Sequence, residues 1–90
     1  MVIFVLQSVP ASLRGELTRW MVEPRAGVFI GKPSAMVRER LWSLVLRRAR
    51  IGGGLLIHTT DTEQGFRMES FGNTDRSVRD FDGLSLIQIP

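Results

Sequence analysis

The sequence predicts a single small α+β domain, and three observations lead to this fold class. An unbroken apolar run, VIFVL, occupies residues 2–6; two later segments repeat apolar side chains with helical spacing; and three β-prone runs follow the second of these segments. Ninety residues support only one hydrophobic core, and a core of this size is marginally stable on its own. Because the chain has no cysteine and a single histidine, neither disulfides nor a Cys/His zinc site can stabilise it, and we expect an oligomer, at least a dimer.

The first strand and the first helix are predicted before residue 22. The run VIFVL contains no polar residue, which predicts a strand that is buried on both faces at the centre of its sheet. Pro10 then suits the first turn of a helix of about three turns. The apolar positions i, i+4, i+7 and i+8 of this helix are Leu13, Leu17, Trp20 and Met21.

A second strand and a second helix follow the segment VEPRAG. Pro24 cannot continue a helix and disfavours the helical conformation of the residue before it, so the first helix ends here. The short run GVFIG, residues 27–31, predicts a strand. Ser34 is a suitable N-cap for the second helix, and the glycines that begin at Gly52 end it. The apolar positions of this helix are Val37, Leu41, Leu44 and Val45.

Three strands are predicted in the rest of the chain. The segments LLIHTT (residues 55–60) and GFRMESFG (65–72) are separated by the turn DTEQ, and LSLIQI (84–89) follows the polar stretch NTDRSVRDFDG (73–83). The resulting order, β-α-β-α-β-β-β, differs from the ferredoxin-like order β-α-β-β-α-β. Either one hairpin partner is a short edge segment that the pattern does not reveal, or the last strand leaves the domain.

Positive charge is concentrated in the first half of the chain. Residues 1–50 carry nine Arg or Lys against three Glu, a net charge of +6, whereas residues 51–90 carry three Arg against six Asp or Glu, a net charge of −3. Eleven of the twelve cations are arginine, whose planar guanidinium suits phosphate or carboxylate recognition. Two interpretations stay open. The scattered arginines either follow a phosphate backbone without reading bases, or form a solvated surface that reflects arginine-rich codon usage.

Few residues are suited to catalysis or metal binding. The glycines 52–54 lie between a helix and a strand, the reverse of the order in a phosphate-binding loop, and predict a helix stop. His58 has no second histidine or nucleophile motif beside it, which predicts a packed or edge residue of a strand. Asp80 and Asp82 precede Gly83 and are either half of a magnesium site or the turn before the last strand. Because the first strand offers no carboxylate partner, the turn is favoured.

Several motifs taken together resemble a known family. The segments SVPASLRGELTRWMVEPRAGVFIG, SAMVRERLW, TEQGFRMESFG and DFDGLSL are similar, in order and spacing, to the CRISPR adaptation protein Cas2 of the type I-E subtype. The similarity covers nearly the whole chain. It implies an α+β, ferredoxin-like β-α-β-β-α-β sandwich with an additional C-terminal strand, in a homodimer whose sheets face each other. Residues 1–78 would form the domain, and residues 79–90 would supply a turn and a strand for assembly.

The resemblance also implies a role in CRISPR spacer acquisition, as a non-catalytic adaptor. In this family the homodimer bridges two dimers of the CRISPR integrase subunit, and the complex holds duplex protospacer DNA for insertion into the CRISPR array. Arg14 and Arg76 best match the family's DNA-contacting arginines, and Arg38 is a third candidate. The segment expected to bind the integrase subunit consists of Leu84, Ser85, Leu86, Ile87, Gln88 and Ile89.

An enzymatic function is the alternative that the resemblance leaves open. Many members of the wider family are described as magnesium-dependent endonucleases acting on single-stranded RNA or duplex DNA, with a metal-binding acid at the end of the first strand. Gln7 and Ser8 stand there in this sequence, and neutral groups lack the charge that a hard cation prefers. We therefore expect no catalytic residue and no required cofactor, with magnesium needed only if Asp82 and Asp80 support nuclease activity.

The sequence also leads to an expectation about location. No apolar run has the length of a membrane span, and no basic segment precedes VIFVL to make it a secretion signal. We therefore expect a cytoplasmic protein without a membrane partner.

Overall fold

The computed structural model describes residues 1–48, 52–72, 77–81 and 84–88. Within them lie two helices and seven strands. In chain order these are β1 Val2–Leu6, α1 Ala11–Thr18, β2 Val22–Arg25, β3 Val28–Gly31, α2 Ala35–Arg48, β4 Gly53–Thr59, β5 Phe66–Gly72, β6 Ser77–Phe81 and β7 Leu84–Gln88.

Strands β1 to β5 form one antiparallel sheet in the order β2-β3-β1-β4-β5. The first six elements follow the β-α-β-β-α-β order of a ferredoxin-like fold, and β5 extends the sheet beyond β4. The central position predicted for β1 is confirmed, because β1 pairs with β3 on one side and with β4 on the other. The fold class is therefore α+β, with a ferredoxin-like sheet.

The strand that the sequence pattern missed is β2. Its sequence, VEPR, was predicted only to end the first helix, yet it pairs with β3 at the sheet edge. Pro24 has no N–H to donate, and an edge strand tolerates this because one side needs no partner. The pairing shifts in register between Val22 and Arg25. Of the two explanations offered for the strand order, the short edge segment is therefore the one that supplies the hairpin partner of β3, and this segment is β2.

The core lies between one face of the sheet and the two helices. Val2, Phe4 and Leu6 of β1 are buried on this face, together with apolar side chains of both helices. The prediction that β1 is buried on both faces is wrong for the single chain, because Val5 on the opposite face is 40% exposed. Alternate residues of a strand point to opposite faces, and the helices cover only one of them.

The two helices differ in how well the sequence predicted them. Helix α1 ends at Thr18, so it is shorter than predicted, and Trp20 lies half-exposed beyond its end. Helix α2 begins as predicted, because the hydroxyl of Ser34 accepts a hydrogen bond from the N–H of Val37 at 3.3 Å. Trp42 of α2 packs between Phe4 and Phe71, with ring centroids 5.9 and 5.6 Å away.

The end of the chain forms a hairpin in which β6 pairs with β7. The predicted last strand is therefore present, but part of the polar stretch before it, for which no strand was predicted, is also a strand. A strand of polar composition is stabilised here by pairing with its neighbour, which local periodicity does not reveal. The division after residue 78 stays a prediction, and its boundary falls within β6. In the ranges that the structure describes, no helix combines the length and apolar composition needed to cross a membrane.

Candidate functional site

Arg14 of α1 is held by the carboxylate of Glu23 in β2. Its Nε donates to Glu23 Oε1 at 3.0 Å and to Oε2 at 3.3 Å. Glu23 Oε2 also accepts the backbone N–H of Gly27 at 3.0 Å, so one carboxylate joins the helix to the turn between β2 and β3. The side chain of Arg14 is 44% exposed and that of Glu23 only 17%. The side chain of Arg14 is therefore fixed at Nε and remains partly exposed to solvent.

Gly27 anchors this arrangement to the sheet. Its φ is +81°, a conformation that favours glycine, and a side chain there would meet the carbonyl oxygen of Leu6. The N–H of Leu6 donates to the carbonyl of Gly27 at 2.8 Å. The turn is thus bound directly to the end of β1, and Glu23 is bound to the turn.

The environment of Glu23 favours its ionised form. The hydrogen bond from the N–H of Gly27 is the main cause that lowers the pKa of this carboxyl below its ordinary value of 4.5. Partial burial opposes the shift, while the hydrogen bond and the positive charge of Arg14 add to it. Near neutral pH the pair is therefore a carboxylate and a guanidinium.

The other two predicted DNA-binding arginines differ from Arg14. Arg38 lies in the first turn of α2, and its side chain is only 19% exposed. Its Nη2 lies 3.1 Å from Glu39 Oε1, whereas its Nε is buried without a hydrogen-bond partner. Arg76 lies outside the described residues. Their DNA contacts stay predictions.

The end of β1 is occupied by a neutral side chain that bonds to the backbone. Gln7 Oε1 accepts the N–H of Gly53 at 2.9 Å, and the N–H of Gln7 donates to the carbonyl of Gly53 at 3.0 Å. Gly52 has a φ of +83°, and a side chain on it would approach Gln7 Oε1 to 2.6 Å. Gly52 therefore allows the close approach of β4 to Gln7 at the end of β1, and the interpretation of residues 52–54 as a helix stop stays a prediction.

Acidic residues are not gathered into a metal site in the described ranges. No group of three or more His, Cys, Asp or Glu side chains is placed there to hold a metal ion. Asp80 lies in β6, opposite Ser85, rather than in the predicted turn, and Asp82 falls outside the described residues. His58 is buried, as predicted for a packed strand residue, with its Nδ1 3.3 Å from the carbonyl of Thr59.

The sheet face opposite the helices is apolar and open in the single chain. Strand pairing places Val5 between Val28 and Leu55, and Ile3 between Ile30 and Ile57. The face continues to Val22 in β2 and to Met68 and Phe66 in β5. We call this set of residues the open face. None of its members is fully buried, and Val22 is 66% exposed.

The predicted integrase-binding segment corresponds mostly to β7. Leu84, Ser85 and Gln88 lie opposite Phe81, Asp80 and Ser77 of β6. Leu86 and Ile87 are exposed apolar side chains of the same strand. Ile89 lies outside the described residues. The segment is a strand, as predicted, and one of its sides is already paired with β6.

Two features of the site were not predicted from the sequence. Glu23 was read only as the residue before Pro24, although it belongs to the quoted motif and stands four residues before Gly27. The open face could not be predicted because VIFVL is apolar at every position. Its side chains point alternately to the two faces of the sheet, but the sequence does not show which face the helices cover.

The chain matches the model of one protein family over nearly its full length. The match covers residues 1–86 of the 90, and the family is described as CRISPR-associated protein (Cas_Cas2CT1978). The matched range includes Arg14, Glu23, the open face and most of β7. The ferredoxin-like sheet of the structure fits this assignment. The chain therefore belongs to the CRISPR-associated family of Cas2-type proteins.

Proposed function

We propose that this protein is a homodimeric, non-catalytic adaptor of CRISPR spacer acquisition. It bridges dimers of the integrase subunit and holds duplex protospacer DNA, as the resemblance to the type I-E subtype implies. It acts in the cytoplasm. Family membership supports the association with CRISPR, and the surfaces described above support the finer role.

The observation that carries the non-catalytic role is the side chain of Gln7 at the end of β1. A metal-dependent nuclease of the wider family would need an acid at this place, whereas the Gln7 oxygen is neutral and already accepts the N–H of Gly53. A hard cation such as magnesium binds chiefly to carboxylate oxygens. The residue present here therefore connects two strands instead of offering a charged ligand.

The open face supports the homodimer. A broad apolar sheet surface is costly to leave in water, and a small domain without disulfides gains stability when a second copy covers it. Because the face belongs to one sheet, two copies related by a twofold axis bury the same surface on each side. The resulting dimer presents two copies of Arg14 and two C-terminal hairpins.

The half-exposed Arg14 supports duplex binding, and β7 supports integrase binding. A half-exposed arginine can contact DNA phosphates without reading bases. A strand that is paired on one side by β6 and carries exposed Leu86 and Ile87 suits β-augmentation by a partner. Both surfaces are present on one chain, as an adaptor requires.

Co-purification with the integrase subunit tests the adaptor role. Deletion of residues 84–90, and separately Leu86→Asp, is expected to abolish co-purification while leaving a folded dimer. Met36→Asp is the matched control, because Met36 is an exposed apolar residue of α2 and is 73% exposed. Unchanged association of both C-terminal variants would contradict the proposal.

A cleavage assay tests the nuclease alternative. The parent and Asp82→Ala are incubated with magnesium and either single-stranded RNA or duplex DNA. We expect no cleavage by either protein. Cleavage by the parent that is lost in Asp82→Ala would replace the non-catalytic assignment with an enzymatic one.

A further inference from the structure

We propose that Glu23 is a positioning residue for duplex binding, which orients the guanidinium of Arg14 towards a DNA phosphate. This inference rests on the proposed function, since it presupposes that Arg14 contacts DNA. It adds a role for an acidic residue, which simple charge considerations would exclude from a phosphate-binding surface.

The geometry of the pair leaves the phosphate-binding edge of Arg14 available. The contacts between the guanidinium and Glu23 run through Nε alone, which is shared between both carboxylate oxygens. The two Nη groups carry the other four N–H donors of the guanidinium, and two parallel donors match the spacing of phosphate oxygens. Because the side chain of Arg14 is 44% exposed and its contacts with Glu23 use Nε, we infer that the two Nη groups can receive a phosphate.

The carboxylate is itself held in place by the sheet. Glu23 Oε2 accepts the N–H of Gly27, and the carbonyl of Gly27 accepts the N–H of Leu6 in β1. A free arginine side chain loses considerable rotamer freedom when it binds phosphate. An arginine side chain that is already fixed at Nε has lost part of this freedom before binding, so the entropic cost of binding is smaller. Glu23 thus fixes the position of the Arg14 guanidinium relative to the sheet.

Positioning and simple charge repulsion predict opposite changes in DNA affinity when Glu23 is removed. If Glu23 acted only through its negative charge, its removal would relieve repulsion of DNA and strengthen binding. If it positions Arg14, its removal weakens binding, and the effect requires Arg14 to be present. A double-mutant cycle separates the two, because the coupling energy reports whether the residues act together.

The experiment measures the Kd for a labelled duplex by fluorescence anisotropy over a series of salt concentrations. The proteins are the parent, Glu23→Gln, Arg14→Ala and the double variant, all as the full chain. We expect Glu23→Gln to weaken binding severalfold in the parent background and to have no effect in the Arg14→Ala background. Glu16→Gln is the charge-matched control, because Glu16 also lies beside an arginine: its Oε2 is 3.7 Å from Nη1 of Arg19. We expect Glu16→Gln to bind the duplex as tightly as the parent or more tightly.

Several outcomes would overturn the inference. Binding by Glu23→Gln that equals or exceeds the parent would assign Glu23 a purely electrostatic role, and an equal loss in both backgrounds would assign it a purely structural one. Arg14→Lys retains the charge and leaves Glu23 and Gly27 intact, so it guards against misfolding of Glu23→Gln. It is expected to bind more weakly than the parent although its charge is unchanged, because an ammonium cannot make the oriented two-donor contact; parental affinity would contradict positioning. If Arg14→Ala binds like the parent, the role of Arg14 fails, and if the parent does not bind duplex DNA at all, the proposed function fails with it.

Discussion

The side-chain oxygen Oε1 of Gln7 lies 2.9 Å from the backbone nitrogen of Gly53 and accepts its hydrogen bond. This contact joins β1 to β4 at the end of the sheet where α1 begins and α2 ends. The backbone N–H of Gln7 donates in return to the carbonyl of Gly53 at 3.0 Å. Gln7 therefore satisfies a backbone group that would otherwise be left unpaired where the chain enters β4.

Replacing Gln7 should lower the free energy of unfolding, because the backbone N–H of Gly53 depends on its side chain for a hydrogen bond. In Gln7→Ala the N–H of Gly53 loses its partner, and the loss of one such bond costs about 1 kcal/mol in the free energy of unfolding. Urea denaturation of the two proteins measures the difference. Gln7→Glu retains an acceptor oxygen and serves as the control; an equal loss in both variants would show that the hydrogen bond is not the cause.

Two glycine-to-alanine substitutions should have opposite effects on stability. A Cβ on Gly54 would lie 2.5 Å from Phe71 Cε1 and 2.7 Å from Leu6 Cδ2, and overpacking of this kind costs about 1–3 kcal/mol. A Cβ on Gly15, within α1, would meet no atom within 4 Å. Because alanine favours the helix more than glycine, Gly15→Ala should stabilise the protein by about 0.5–1 kcal/mol.

The two variants control for each other in thermal unfolding. Each adds one methyl group, so a difference in sign reports the local environment and not the composition. A destabilised Gly15→Ala or an unaffected Gly54→Ala would contradict the packing described for these positions.

The lowered pKa of Glu23 predicts a pH-dependent contribution to stability. A carboxyl whose pKa is lower in the folded state stabilises the fold above its unfolded value, near 4.5, and this contribution is lost as the pH falls through the folded pKa. The Tm of the parent should therefore exceed that of Glu23→Gln near neutral pH, and the difference should shrink below about pH 4.5.

Arg14→Gln refines the same measurement. The N–H of Gly27 is the larger cause of the lowered pKa, so removal of Arg14 should reduce the pH-dependent part without abolishing it. A difference between the parent and Glu23→Gln that stays constant down to about pH 3 would show that ionisation of Glu23 does not contribute.

The sequence predicted those elements whose signal is local and failed where pairing decides the structure. The VIFVL run and the two helical periodicities each led to an element that is present in the structure. Strands β2 and β6 were missed because Pro24 and a polar composition argue against strands locally. Both are strands because a neighbouring strand pairs with them, and no window of sequence contains that information.

The candidate site was predictable to the same degree. Arg14 was named from the sequence, but its partner Glu23 was not, because their contact requires β2 to run back beside α1. The open face was inaccessible for a related reason: it depends on which face of β1 the helices cover. Residue identity indicated which groups could act, and topology decided which of them meet.

The open face predicts how the proposed homodimer can be disrupted. Val5 lies on the central strand of this face and is 40% exposed in the single chain. Val5→Glu would bury an unpaired carboxylate in the interface, which is costly, and should convert the dimer to a monomer. Size-exclusion chromatography with light scattering measures the mass. Met36→Glu adds the same charge to the exposed side of α2 and should leave the dimer intact; a dimeric Val5→Glu would place the interface elsewhere.

Duplex binding should depend on particular arginines more than on total charge. Each lysine or arginine that neutralises a phosphate contributes about one unit to the slope of log Kobs against log salt concentration. The combined variant Arg14→Ala and Arg76→Ala should therefore weaken binding and flatten this slope. Filter binding or anisotropy over a salt series measures both quantities.

A second double variant separates specific contacts from general charge. Arg40→Ala with Arg47→Ala removes the same charge from exposed positions of α2. If Arg14 and Arg76 contact phosphates, only the first double variant flattens the salt slope, because screening of a distant charge changes affinity without releasing a counterion from a contact. Equal slopes and equal losses in the two double variants would mean that the arginines form a solvated surface, and that any DNA held by the dimer is held elsewhere.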